Sequence, residues 1–427
     1  MIGEKIKNTL RDNITIIVLC FLVGSLFFGE SSSNLATFSS GEYLYWLHAR
    51  ALLSISMIVY FLFIIIKSGI TKAVRNFFYR SDLLIFSVIL LMLVIAFLNS
   101  QNYEYIVQRI QVKLPFLIIP FCAASTIISR KGFNTILFAF ILFTFLLCIY
   151  MLVNYIIYFD LINDMYLRSK VMPSPINHVR FSILIAIATY AAYYLFKSEI
   201  ILFRFDKIIF LIIGGYLFLF IHLYSVRSGL IAIYAMVLAE ILIHIIKYRS
   251  YRKAFYGFLL ILISGVVMTL FFPTFKNKMI NTRQDITVFQ SKGNANNNSL
   301  STRAVSYEIA IDLFKENIFW GCGLGDLEIK NTKLFKDKYP EIAIPIIPHN
   351  QFLYYLASMG SIGLFVFSFC FFFPLFYRKN YKNEFLLMMY IVFFLSFLTE
   401  PMIENQLGVA CTVIFITLPL IKQSKEN

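Results

Sequence analysis

Charge is scarce in this chain. Asp, Glu, Lys and Arg make up 14% of its 427 residues, whereas 59% are hydrophobic. Soluble domains carry about a quarter charged residues and about half apolar ones. No soluble core hides that much apolar surface, which excludes a string of water-soluble domains and makes lipid the solvent for much of the chain. Cysteine is also sparse. Of Cys20, Cys122, Cys148, Cys322, Cys370 and Cys411, five lie inside apolar runs and no two form a C-x-x-C pair. That argues against a disulfide framework and against a metal–thiolate site. The motifs H-E-x-x-H and G-x-x-x-x-G-K-[ST] are missing, as are carboxylate clusters at metal spacing, so no metal, nucleotide or other cofactor is expected. No internal repeat is present. The net charge of +15 invites a nucleic-acid reading. The basic residues, however, sit in short clusters between apolar runs, a pattern that orients membrane spans, and no nucleic-acid partner is expected.

What the chain does have is long apolar runs. A spanning helix needs about 20 mostly apolar residues. Twelve runs approach that length, near 14–28, 46–66, 82–98, 114–129, 133–158, 176–196, 208–225, 228–246, 254–272, 350–376, 384–400 and 405–421. The first follows Lys5, Lys7 and Arg11 and resembles a signal peptide, but with so many spans behind it we read it as the first span. Pro115 and Pro120 should bend the fourth. The expected fold is an all-α integral membrane bundle of about 12 transmembrane helices, a single polytopic domain over 1–427. With the N-terminus inside, 21 of the 38 basic residues fall on the cytoplasmic side. Seven lie outside in short segments, and ten lie in one long loop that the positive-inside rule discounts. Both termini are therefore expected in the cytoplasm.

That long loop, residues 273–348 between spans 9 and 10, is expected outside, and a loop of its size usually has structure and function of its own. Its stretch 291–299 is of low complexity and reads as mobile. Residues 301–318 read as an amphipathic helix with Ala304, Tyr307, Ile311, Phe314 and Ile318 on one stripe. Ser301 would be its N-cap, placing Arg303 in the first turn. The stripe should lie on the membrane surface or on the bundle. The run Gly321-Cys322-Gly323-Leu324-Gly325 permits a tight turn and the close approach of another backbone or a ligand.

An ionisable group at membrane depth is costly and marks a site or an internal pair. Arg227 stands in a short link at the outer face; it is either an interfacial anchor or a guanidinium that binds an anion at a cavity rim. Arg180 and His178, where a loop enters a span, offer the same choice between anchoring and substrate positioning. His349 follows Pro348 and opens a helix, with Asn350 and Gln351 beside it. A helix N-terminus disfavours imidazolium and keeps the ring neutral, as a general base requires. Glu240 and His244, four apart in one span, form either a self-satisfied pair or a proton relay.

Three stretches together resemble the O-antigen ligase and O-antigen polymerase superfamily of bacterial membrane glycosyltransferases. Ser225-Val226-Arg227-Ser228-Gly229-Leu230 is similar to that family's S-R-S-G-L element, with one residue inserted before the arginine. Arg303, a helix and then Gly321-Cys322-Gly323-Leu324-Gly325 resemble its arginine, helix and G-x-G-x-G. His349-Asn350-Gln351-Phe352-Leu353 with Gly360-Ser361-Ile362-Gly363-Leu364 resembles its H-[SN]-x-[FY]-L…G-x-x-G-L. The match covers roughly 225–365; the first half matches only as a set of spans.

The resemblance implies a GT-C-like bundle in the bacterial inner membrane with its active site facing the periplasm. It implies transfer of a glycan from an undecaprenyl-diphosphate carrier to an acceptor sugar, without metal or nucleotide. Ligases use lipid A–core as acceptor; polymerases use another carrier-linked repeat. The residues suit that chemistry. Arg227 and Arg303 would stabilise the diphosphate leaving group with guanidinium forks, and His349 would take the proton of the attacking hydroxyl. Attack opposite the leaving group predicts inversion. Arg180, His178 and Asn350 are candidates for binding the substrates, and apolar clefts for the polyprenyl tail. We favour the ligase over the polymerase. A polysaccharide flippase, the competing class, would place its ionisable groups near mid-membrane in two related halves; here they gather at one face. A scaffold would leave Arg227, Arg303 and His349 unrelated in space.

Overall fold

A computed structural model of the chain describes residues 2–28, 51–168, 170–277, 279–280, 283, 299–340 and 342–422. Residues 291–298, most of the low-complexity stretch, lie outside the described residues. The described residues form helices and no strand beyond the single bridge between Ile128 and Lys422. Over their described residues the twelve apolar runs fall on helices, though not every one meets the length and apolarity of a spanning helix. Among the described residues, nine helices have the length and apolarity to cross, or ten if one bent pair is a single span. That pair is α2 (Leu52–Ser68) and α3 (Ile70–Tyr79), which meet at 104° across Gly69. The last two runs are shorter helices, Glu384–Thr399 and Gln406–Leu420.

The fourth run also starts earlier than expected. Tyr103–Lys113 (α5) leads into Pro115–Ala124 (α6), and Pro115 occupies the first position of α6, where its missing N–H costs nothing. A hydropathy count skipped α5 because Glu104, Arg109 and Lys113 dilute it.

Two helices are apolar on every side and are buried on every side. Phe181–Ala192 of α9 (His178–Lys197) and Leu407–Pro419 of the last helix are continuously buried. Around α9 pack α7 (Arg130–Ile157), α10 (Asp206–Tyr224) and α11 (Arg227–Ile246). By contrast α12 (Tyr251–Phe271) buries only Ala254, Ser264 and Met268, as a peripheral, lipid-facing span would.

The helices give the molecule two distinct ends. One joins Lys197 of α9, Lys247 beyond α11 and Glu384, with Lys247 Nζ donating to Glu384 Oε1 at 2.7 Å. Near it Glu240 accepts from Tyr190 Oη at 3.0 Å and Lys197 Nζ at 3.3 Å, with His244 at 3.8 Å, so Glu240 is satisfied within the protein. The other end gathers the starts of α9 and α11 and the long loop.

The long loop contributes α13 (Ser299–Glu316) and α14 (Leu327–Lys338). Helix α13 begins before Ser301, so Ser301 is not its N-cap and Arg303 lies in the second turn. The predicted stripe is also rotated. The buried face is Ser306, Ile309, Ala310 and Leu313, which packs on α15 (Gln351–Phe376), whereas Ile311 and Ile318 are exposed. The sequence offers two apolar stripes, and the one that faces α15 carries the smaller residues.

Candidate functional site

Three consecutive residues at the start of α15, His349, Asn350 and Gln351, grip the end of α16 (Glu384–Thr399) or the link that joins it to α17 (Gln406–Leu420). His349 Nδ1 stands 3.1 Å from Glu400 Oε2. Asn350 caps α15, accepting from Phe352 N at 2.9 Å and Leu353 N at 3.1 Å, and donates through Nδ2 to the Leu398 carbonyl at 3.3 Å. Gln351 is fully buried; it donates to Glu404 Oε1 at 2.8 Å and accepts from Ile403 N at 3.1 Å. The histidine is thus fixed through its neighbours to the loop that carries its carboxylate partner.

Arg303 of α13 reaches the same carboxylate and pairs with Glu400 Oε1. Tyr307, one turn on and on the same face, donates to the His349 carbonyl at 2.9 Å and to the Leu398 carbonyl at 3.3 Å. Helix α13 therefore crosses the mouth of the bundle and pins the His349 turn and the end of α16 together. Arg180 adds a second guanidinium that acts on Glu400. Burial would raise the Glu400 carboxyl, but His349, Arg303 and Arg180 outweigh it and hold the group below its usual range. Glu400 is an anion shared by an imidazole and guanidinium groups.

Arg227 opens α11 at this same end. Its S-G-L context has a packing reason. A Cβ at Gly229 would lie 2.7 Å from Ser182 Cβ of α9, so the glycine lets α11 close onto α9 two residues past Arg180. Arg303 and His349 meet on Glu400, Arg180 acts on it electrostatically, and Arg227 opens α11 beside α9. His178 opens α9 itself, and Asn177, one residue before, caps it.

A second, deeper polar knot braces this one. Lys113 of α5 is wholly buried and pairs with Glu404 at 2.9 Å, over the ring of Tyr355. Arg109, stacked on Tyr105 at 4.5 Å, donates to the Glu404 carbonyl at 2.9 Å. Hydropathy reading missed Glu400, Glu404 and Lys113. The available signal was two acids in six residues, around Pro401, between two otherwise uncharged runs.

The glycine-rich turn has a different task from cradling a ligand. Gly321 and Gly360 both have positive φ, at 69° and 66°, and a Cβ on Gly321 would lie 2.5 Å from Gly360 N. The two turns clasp each other through Cys322 N to Ala357 O at 2.9 Å and Ser361 N to Ile318 O at 2.8 Å. Asp326 ties the turn to Gln101 N and Asn102 N, each at 3.1 Å. The close approach expected from the glycines is between backbones.

Residues 208–368 match the family model described as O-antigen ligase. Over that stretch the chain is similar to the O-antigen ligase family. No curated protein matches it. The matched stretch contains Arg227, Arg303 and His349 and stops short of Glu400. Among the described residues, no three His, Cys, Asp or Glu side chains gather as they would around a metal ion.

Proposed function

We propose that the chain is a ligase that moves a glycan from undecaprenyl diphosphate to an acceptor sugar, lipid A–core, at the periplasmic face of the bacterial inner membrane. The observation that carries this is the convergence of Arg303 and His349 on Glu400. A carboxylate 3.1 Å from Nδ1 would favour the tautomer that leaves Nε2 as acceptor, the arrangement of an oriented general base. Nε2 would take the proton of the acceptor hydroxyl as its oxygen bonds to the anomeric carbon. The electron pair of the broken bond leaves with the diphosphate. Arg303 keeps N–H groups beyond the one on Glu400, and with Arg227 it would meet the developing phosphate charge. Displacement from the opposite face inverts the anomeric centre. Arg180, His178 and Asn350 remain candidates for positioning donor or acceptor. An apolar hollow of about 220 Å³ between α4 (Ser81–Ile95) and α15, rimmed by Asn99 and Trp320, is suited to part of a polyprenyl chain.

The test is deletion of the gene followed by analysis of surface glycans and complementation. Loss of all capped lipopolysaccharide supports the ligase; caps of a single repeat show a polymerase instead; glycan trapped on its carrier inside the cytoplasm points to a flippase. In complementation, Arg227→Ala, Arg303→Ala and His349→Ala should each abolish transfer while the protein still inserts. Normal transfer by any one removes that residue from the mechanism.

A further inference from the structure

We infer that the end of the bundle opposite His349 holds a second binding site, a cleft for a phosphate-bearing anion. The cleft has a volume of about 670 Å³ and lies where four parts of the chain meet. The α3–α4 joint supplies Arg80 and Asp82, the first residue of α7 is Arg130, the turn Tyr377–Lys382 supplies Arg378, and Lys422 follows α17.

Four cations thus line one hollow with a single carboxylate among them. That carboxylate is already used: Arg80 donates to both Asp82 oxygens, at 2.9 and 2.8 Å, and to the Leu420 carbonyl at 3.2 Å. The pair is a fixed wall of the cleft. Among the described residues, no carboxylate lies at ion-pairing distance from Arg130, Arg378 or Lys422. Lys422 is instead aimed by Tyr194 Oη at 2.6 Å and by the face of Phe133 at 4.7 Å. Arg378 and Lys379 both sit in the left-handed backbone region, with φ of 48° and 61°, on a turn that Asn380 anchors to the Pro374 carbonyl at 2.9 Å.

Basic residues that only orient a membrane protein need not share a cavity; each can reach the headgroups alone. Here three cations that lack acidic partners converge on a concave site from three different elements. Forked guanidinium donors and a point-charge ammonium suit phosphate oxygens. The cleft is much larger than a free phosphate and lies at helix ends, where lipid headgroups lie. The shared chemistry is a phosphate ester or free phosphate. Its source is an anionic lipid headgroup or a soluble ion.

The experiment uses the full chain in neutral detergent, with short-chain phosphatidylglycerol, inorganic phosphate and short-chain phosphatidylcholine as probes. Binding is read by native mass spectrometry and by thermal shift. Saturable binding of phosphatidylglycerol alone supports the site with a lipid headgroup as occupant. Saturable binding of phosphate alone supports it with a soluble occupant. In either case the variant Arg130→Gln/Arg378→Gln/Lys422→Gln should bind on the order of a hundredfold more weakly, at about fivefold per cation. If that variant is not recovered from membranes, Arg378→Gln on the exposed turn carries the test, with about a fivefold loss. Binding no better than that of phosphatidylcholine, or unchanged in the variant, overturns the proposal. None of this depends on the reading of the His349 end.

Discussion

Glu400 is the residue on which the site turns. It is one side chain serving a base and a cation, and its own ionisation is protected by both. Because its carboxyl is held low in the folded protein, its contribution to stability is present above the usual carboxylate range and is lost as pH falls through the lowered value. Glu400→Gln should therefore blunt the acid sensitivity of the unfolding midpoint, measured by thermal unfolding in detergent from neutral pH down through and below the usual carboxylate range. The same variant frees the imidazole and should slow transfer about 10²-fold or more, within the range expected for losing a positioned base. An unchanged rate at neutral pH would detach Glu400 from the chemistry. His349 could be found from the sequence because it follows a proline at a helix start. Glu400 could not, because it ends an apolar run and looks like a span terminus.

At the scale of elements, the short link from Thr399 to Asn405 is what α5, α13 and α15 all hold. Lys113 from α5 meets Glu404 with no exposed surface on the lysine. Breaking such a pair from one side strands a buried charge and costs about 3–5 kcal/mol. Lys113→Met should accordingly lower the unfolding midpoint strongly, and adding Glu404→Gln should recover most of the loss. If the double variant is no better than the single, Lys113 acts through packing alone. Elements were legible where apolar runs were long: over its described residues, each run is helical. The register of α13 was not, because two apolar stripes compete along it and only the packing partner α15 decides between them.

For the whole molecule, the sequence foretold an all-α bundle, of which nine or ten helices among the described residues have the length and apolarity to cross, while Glu384–Thr399 and Gln406–Leu420 are shorter apolar helices. The convergence of residues far apart in the chain onto one carboxylate is tertiary, and no local pattern contains it. Orientation can be tested at the same scale. The positive-inside count places α14 outside and the turn Tyr377–Lys382 inside. A cysteine introduced at Lys333 should react with a membrane-impermeant maleimide on intact cells, and one at Lys379 should react only after lysis. The reverse pattern would invert the topology.

The shared carboxylate also suggests an order of events. A diphosphate that draws Arg303 toward itself would leave Glu400 to hold the imidazole alone. The base would then be released for its task only once the donor has arrived. Steady-state kinetics should show compulsory sequence, with donor before acceptor; random addition would break the link between the two charges.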